Sequence, residues 1–284
     1  MKLRPFRLSG RSITIAASLV GVVSLAIGAH AALYKRASEI TRAISAADLS
    51  TVDAGGSSRV ALVIGNGHYP DANAPLSQPI NDARALTATL RREGFEVDVV
   101  EDASKDDMGR AVERLKAKIK PQSVVMLFFG GYGVQVGRES YMIPVDARIW
   151  KEADVRRDGV SIESVLDVMK ARGARAKLVV VDASRRNPYE RRFRSFSHGL
   201  APINMPDNAL ILSSATPGRV AEDSSGQHSV LMTELLANLS RRASGAESVF
   251  NKTRVAISRA SEGEQVPSVS SSLLDDFRFE KTGG

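Results

Sequence analysis

RVALVIGN, residues 59–66, is a short apolar, β-branched run closed by Gly65, and it reads as a strand. Runs of the same kind recur as FEVDVVED (95–102), SVVMLFFGG (123–131), AKLVVVDAS (176–184) and ALILSSAT (209–216), with YMIPVDA (141–147) as a shorter strand. Helical patterns separate them, at Asn81–Glu93, at Lys105–Lys118, in SIESVLDVMKARG (161–173) and twice between residues 229 and 261. A strand that is apolar without alternation is buried on both faces. The sequence therefore predicts an α/β fold with a mainly parallel central sheet and helices on both sides of it.

In such sheets ligands bind beyond the carboxyl ends of the strands, so the residues that follow each run carry the search for function. These are Gly65–Tyr69, Gly130–Gly133, Asp182–Arg186 and Ser213–Asp223. GGYGVQVG (130–137) lacks the G-x-G-x-x-G spacing and no helical pattern follows it, which argues against a nucleotide site. There is no G-x-x-x-x-G-K-[ST] and no H-E-x-x-H. The four histidines, His30, His68, His198 and His228, lack metal-ligand spacing, so no metal and no cofactor is expected. Ser184 has no G-x-S-x-G elbow around it and by pattern alone is a turn residue.

The chain of 284 residues contains no cysteine, which excludes thiolate nucleophiles, disulfides and thiolate metal sites. Its net charge of +7 gives only a weak attraction to anionic partners. Lys2, Arg4, Arg7 and Arg11 precede Ile13–Leu33, a run with no charged residue, long enough to cross a hydrocarbon core and carrying Ala29 and Ala31 in an A-x-A pattern. Residues 1–34 are expected to be a signal peptide or a membrane anchor. The basic flank puts the N-terminus in the cytoplasm and the rest of the chain outside it, periplasmic or anchored to the inner membrane. Residues 35–58, ending in AGGSS, read as a flexible linker, residues 59–280 as one folded domain and residues 281–284 as a tail.

Taken together, VALVIGN, PLSQPINDARALTATLRREGFEV, LFFGGYGVQVGRESYMIPVDA and KLVVVDASRRNP resemble the caspase-like peptidases, in particular their prokaryotic branch, the orthocaspases or bacterial metacaspases. The resemblance runs from about Arg59 to Phe279 and includes SSATPGRVAED and QVPSVSSSLLDDFRF. It implies the caspase-hemoglobinase fold with its p20-type domain, and a catalytic pair made of a histidine after one strand and a cysteine in a D-[AS]-C context after the next. Laid on those motifs, the chain has Tyr132 in place of the histidine and Ser184 in place of the cysteine. A phenol of pKa about 10 is ionised at about the 0.1% level at neutral pH, whereas imidazole titrates near about 6.5. With a hydroxyl as nucleophile and no imidazole base, cysteine-type cleavage is expected to be lost.

The resemblance also carries over Asp182, two residues before the nucleophile position, as the wall of an acidic pocket for Arg or Lys, with Asp223 or Glu222 as its second acid. Asp182 is read equally well as a structural carboxylate capping backbone amides. SRRNPYERRFRSF departs from the family pattern by placing Arg185, Arg186, Arg191, Arg192 and Arg194 beside the former active site, either as a docking surface for anions or as a solvated loop. The expected role is that of an inactive family member that binds or regulates a peptide or protein partner with basic side chains. The N-terminal segment contacts the membrane, and an exported location argues against nucleic acid. Two alternatives are a slow serine-type hydrolase using Ser184 with a borrowed base such as His198, and a structural protein of the cell envelope.

Overall fold

The inner apolar runs become strands covered on both faces, while FEVDVVED stays half-exposed, and adjacent residues along the inner runs enter opposite cores. In the computed structural model Val60, Leu62 and Ile64 pack into one apolar cluster while Ala61 and Val63 pack into the other. Residues 58–70, 75–183, 185, 188–189, 199–221, 226–240, 244–275 and 277–279 are described. Among them the strands are β1 (Arg59–Gly65), β2 (Glu96–Glu101), β3 (Val124–Gly130), β4 (Gly133–Val136), β5 (Glu139–Met142), β6 (Val160–Ser161), β7 (Ala176–Asp182), β8 (Ala209–Ser213) and β9 (Ser268–Ser271). The helices are α1 (Pro79–Arg92), α2 (Lys105–Lys118), α3 (Glu152–Asp158), α4 (Ile162–Ala171), α5 (Val230–Leu239) and α6 (Ala246–Ala260).

The main sheet has the order β2-β1-β3-β7-β8-β9. Its first five strands are parallel, and β9 closes it antiparallel to β8. On one face Leu86 and Leu90 of α1, Leu231 and Leu235 of α5 and Phe250 of α6 meet Met126, Phe128 and Val180. On the other, Met108 and Leu115 of α2 and Val165 and Met169 of α4 meet Leu127, Phe129 and Val181. This is the expected layering. YMIPVDA is corrected: only Tyr141 and Met142 of it lie in a strand, and β5 belongs to a separate three-stranded antiparallel sheet, β4-β5-β6. Half of GGYGVQVG is β4.

Local chemistry sets where the helices begin. α1 has Pro79 in its first turn, where the missing N–H costs nothing, and α2 starts at Ser104 in a capping box with Asp107. The first turn of α1 presses against the end of β1. A β-carbon on Gly65 would lie 2.4 Å from the Pro79 carbonyl oxygen, so only glycine lets the helix begin there. No helix among the described residues is long and apolar enough to cross a membrane, and Ile13–Leu33 lies outside them.

Candidate functional site

The register levels the strand ends: Gly65 pairs with Gly130, and Gly130 with Asp182. The segments chosen from the sequence after β1, β3, β7 and β8 therefore share one edge of the sheet. Strand order reverses between β1 and β3, the position at which open α/β sheets form a crevice.

Tyr132 follows the Gly130–Gly131 turn and is buried in an aromatic cluster with Tyr69, Tyr141, Tyr189 and Ile143. Its ring meets Tyr69 edge-on, with centroids 4.9 Å apart. The Tyr69 hydroxyl accepts from the Tyr132 amide at 3.1 Å and donates to the Ile143 carbonyl at 3.0 Å. The Ile143 amide in turn donates to the Tyr132 carbonyl at 3.0 Å. The turn after β3 is thus fastened to the exit of β5 through one phenol. Burial above all holds the Tyr69 hydroxyl well above the ordinary phenol range, so it stays a proton donor.

Asp182 ends β7 and is buried. Its Oδ1 lies 3.6 Å from Arg185 Nη1, an ion-pair distance longer than a hydrogen bond, and its Oδ2 is buried with no hydrogen-bond partner among the described residues. Among the described residues no backbone amide donates to the Asp182 carboxylate, so nothing there supports the reading of it as an amide cap. The Arg185 guanidinium donates to the carbonyls of Gly131, at 3.1 Å, and of Asp182. Arg185 is 5% exposed, which corrects its place in a solvated or docking loop: it ties the end of β7 to the turn before Tyr132.

A second carboxylate stands close by, and it is not one the sequence singled out. Asp82, in the first turn of α1, is 1% exposed. Its oxygens accept from the Ser229 amide at 3.2 and 3.3 Å, and its Oδ1 lies 2.8 Å from His228 Nδ1. Burial first, and the negative charge of Asp182 second, push the Asp82 carboxyl up to about 6. The sequence placed this second acid at Asp223 or Glu222. Both lie outside the described residues, as do Ser184, His198, Arg186, Arg191, Arg192 and Arg194.

The other described histidine is paired in the same way. His68 Nδ1 lies 2.5 Å from Asp102 Oδ2, while Asp102 Oδ1 accepts from the amides of Gly67 at 2.8 Å and His68 at 3.0 Å. Asp102 holds φ at 46°, a left-handed conformation uncommon outside glycine that aims its carboxylate at the β1 loop. Burial opposes its charge, yet the hydrogen bonds from His68 and Gly67 outweigh that and keep it below the usual carboxylate range. Among the described residues no three His, Asp or Glu side chains converge on a metal-binding arrangement.

The edge can therefore hold a cation against two carboxylates, and it carries imidazole–carboxylate pairs beside a tyrosine-filled turn. A cavity of about 340 Å³ opens after β8, lined by Ala215, Thr216, Arg219, Val220, Glu264 and Val266. Asp82 and Asp182 are enclosed apart from it.

Known proteins resemble this chain at three levels. Caspase-1 from Spodoptera frugiperda superposes with a TM-score of 0.58 over 79% of this chain and 90% of that one, at 14% sequence identity, a likeness of fold. Human mucosa-associated lymphoid tissue lymphoma translocation protein 1 is 27% identical over 133 residues, and its mouse homolog is equally similar. That alignment takes in 46% of this chain and only 16% of the human protein. The family model described as the caspase domain matches residues 58–278, from the residue before β1 to Arg278 beyond β9. The chain belongs to the caspase domain family, whose fold it shares with cysteine peptidases.

Proposed function

We propose that this caspase-fold chain binds an Arg or Lys side chain of a peptide or protein partner at the Asp182 and Asp82 carboxylates, and does not cut it by cysteine-type chemistry. The observation that carries the binding half is Asp182 Oδ2, a buried charged acceptor with no hydrogen-bond partner. Asp182 pairs with Arg185 through its Oδ1 alone while Asp82 adds a second negative charge beside it, and a buried acceptor left unsatisfied costs about 1–3 kcal/mol, which a second cation relieves. Because both acids are enclosed, the partner gains entry by displacing their cover.

The loss of cleavage rests on Tyr132 and Ser184 standing at the family's histidine and cysteine, in a chain without cysteine. A phenol packed edge-on against Tyr69 is a poor base at neutral pH. The test compares the full-length chain with the double variant Tyr132→His, Ser184→Cys on peptides with an internal Arg or Lys. Cleavage by the double variant alone is the expected result. Cleavage by the parent overturns the inactive reading, and failure of Asp182→Asn to weaken peptide binding overturns the acidic site.

A second reading, serine-type hydrolysis through Ser184, is favoured by one observation: His228, held by Asp82, supplies an oriented imidazole on this edge that Tyr132 does not. It predicts labelling by a fluorophosphonate probe that disappears in Ser184→Ala. An unlabelled parent sinks it. The exported placement, periplasmic or anchored to the inner membrane, belongs to the same proposal, motivated by the charge-free run Ile13–Leu33 after a basic flank. Recovery of the chain in a cytosolic fraction after cell breakage would count against it.

A further inference from the structure

The acid cluster contains more than a place for a cation. Asp82 Oδ1 is 2.8 Å from His228 Nδ1, and the Asp82 carboxylate also accepts from the Ser229 amide. His228 precedes α5, Asp82 opens α1 and Asp182 closes β7, so three separate elements bring two acids and an imidazole together. Among the described residues the charged or titratable groups that act on Asp82 are Asp182 and His228, and Asp182 in turn pairs with Arg185.

We propose that the Asp82–His228 pair makes occupancy of the acidic cluster proton-linked: a basic side chain of the partner binds as a proton leaves the pair, so binding weakens as the surroundings acidify. This rests on the acidic-site reading above and adds its regulation.

With Asp82 ionised its negative charge adds to the field of Asp182, and a proton taken up by the Asp82–His228 pair cancels that charge, so an incoming cation is attracted less. The Asp82 carboxyl, pushed up to about 6 by burial and then by Asp182, places the transition between the two states in mildly acidic solution. If proton and cation exclude one another, affinity falls about ten-fold for each pH unit below that midpoint. Between pH 7.5 and pH 5 the loss is then about ten-fold. Arg and Lys side chains of the peptide keep their charge throughout this range, so the effect originates in the protein.

The experiment uses the full-length chain and a fluorescently labelled tetrapeptide amide ending in Arg, with anisotropy titrations from pH 5 to pH 7.5. Affinity should drop about ten-fold toward pH 5 in the parent, and Asp82→Asn should bind weakly and equally across the range. Calorimetry on the parent at pH 6, in two buffers of different ionisation heat, should register net proton release on binding. That measurement needs no variant to fold. Binding that is equally tight at both ends of the range, or that releases no proton, overturns the linkage and leaves the acidic-site reading standing. Absence of binding at every pH overturns both.

Discussion

Replacing Tyr69 with phenylalanine removes a single oxygen, and the structure says what that oxygen holds. It is the acceptor for the Tyr132 amide at 3.1 Å and a donor to the Ile143 carbonyl at 3.0 Å. The Ile143 carbonyl keeps Asn66 Nδ2 at 3.2 Å, so only the buried Tyr132 N–H is stranded. One buried donor left unpaired costs about 2 kcal/mol. The same oxygen forbids a side chain at Gly131, where a β-carbon would lie 2.5 Å from it and 2.9 Å from Phe129 Cζ. Gly131→Ala alone is expected to cost about 2 kcal/mol through overpacking. In the double variant the clash with the hydroxyl has gone while that with Phe129 remains, so the two losses should fall short of additivity by about 1 kcal/mol. Urea unfolding followed by far-ultraviolet circular dichroism measures this. The only tryptophan, Trp150, is 65% exposed and makes a poor fluorescence reporter of the core. Additive losses, or a loss below about 0.5 kcal/mol for Tyr69→Phe, refute the assignment of Tyr69 as the fastener of this turn.

Two further outcomes follow from the same geometry. The Asp82 carboxyl is raised from 3.8 to about 6 by folding, so its contribution is fully present below the unfolded value and is lost as pH rises through the folded one. At about 1.4 kcal/mol per unit, and with the unfolded carboxyl already largely ionised at pH 4, the parent should lose about 2 kcal/mol relative to Asp82→Asn between pH 4 and pH 7, and parallel stability curves for the two would contradict it. Asp102, Asp107, Asp154 and Asp158, all held below the usual range, change with the opposite sign and cancel in the comparison. Gly65→Ala puts a methyl group 2.4 Å from a backbone oxygen of α1, which no side-chain rotation relieves. A loss of about 3 kcal/mol in urea unfolding is expected, and a near-neutral effect would show that α1 can slide off the end of β1.

The central strands were legible because burial on both faces leaves its mark residue by residue: VVMLFFG is buried at every position. The small sheet was not, because GVQV and ESYM are short, polar in part and paired with each other at a place the chain reaches only after the turn at Tyr132. α3 is charged over most of its length, EADVRRD, and its start depends on Asp154 accepting from the Trp150 and Lys151 amides, a local cap that apolar periodicity does not reveal. β9, SVSS, has one apolar residue and takes its antiparallel direction from β8 rather than from its own composition.

The site was half legible for a related reason. Looking only at residues after strands finds Tyr132 and Asp182, and then looks for the second acid in another strand-end loop, at Asp223. In a parallel sheet, however, the helix that follows a strand also starts at the carboxyl edge, so the first turns of α1 and α5 face the same crevice as the loops. Asp82 in the first turn of α1 and Ser229 at the cap of α5 meet there. An acid in a helix's first turn is ordinarily read as serving the helix dipole, which stabilises its charge. The raised Asp82 carboxyl argues otherwise, since burial and the neighbouring Asp182 outweigh both that dipole and the hydrogen bonds from His228 and Ser229. A carboxylate held against its preference at the carboxyl edge of the sheet, far in sequence from the acid it faces, fits the proposed cation site better than it fits a role in starting the helix.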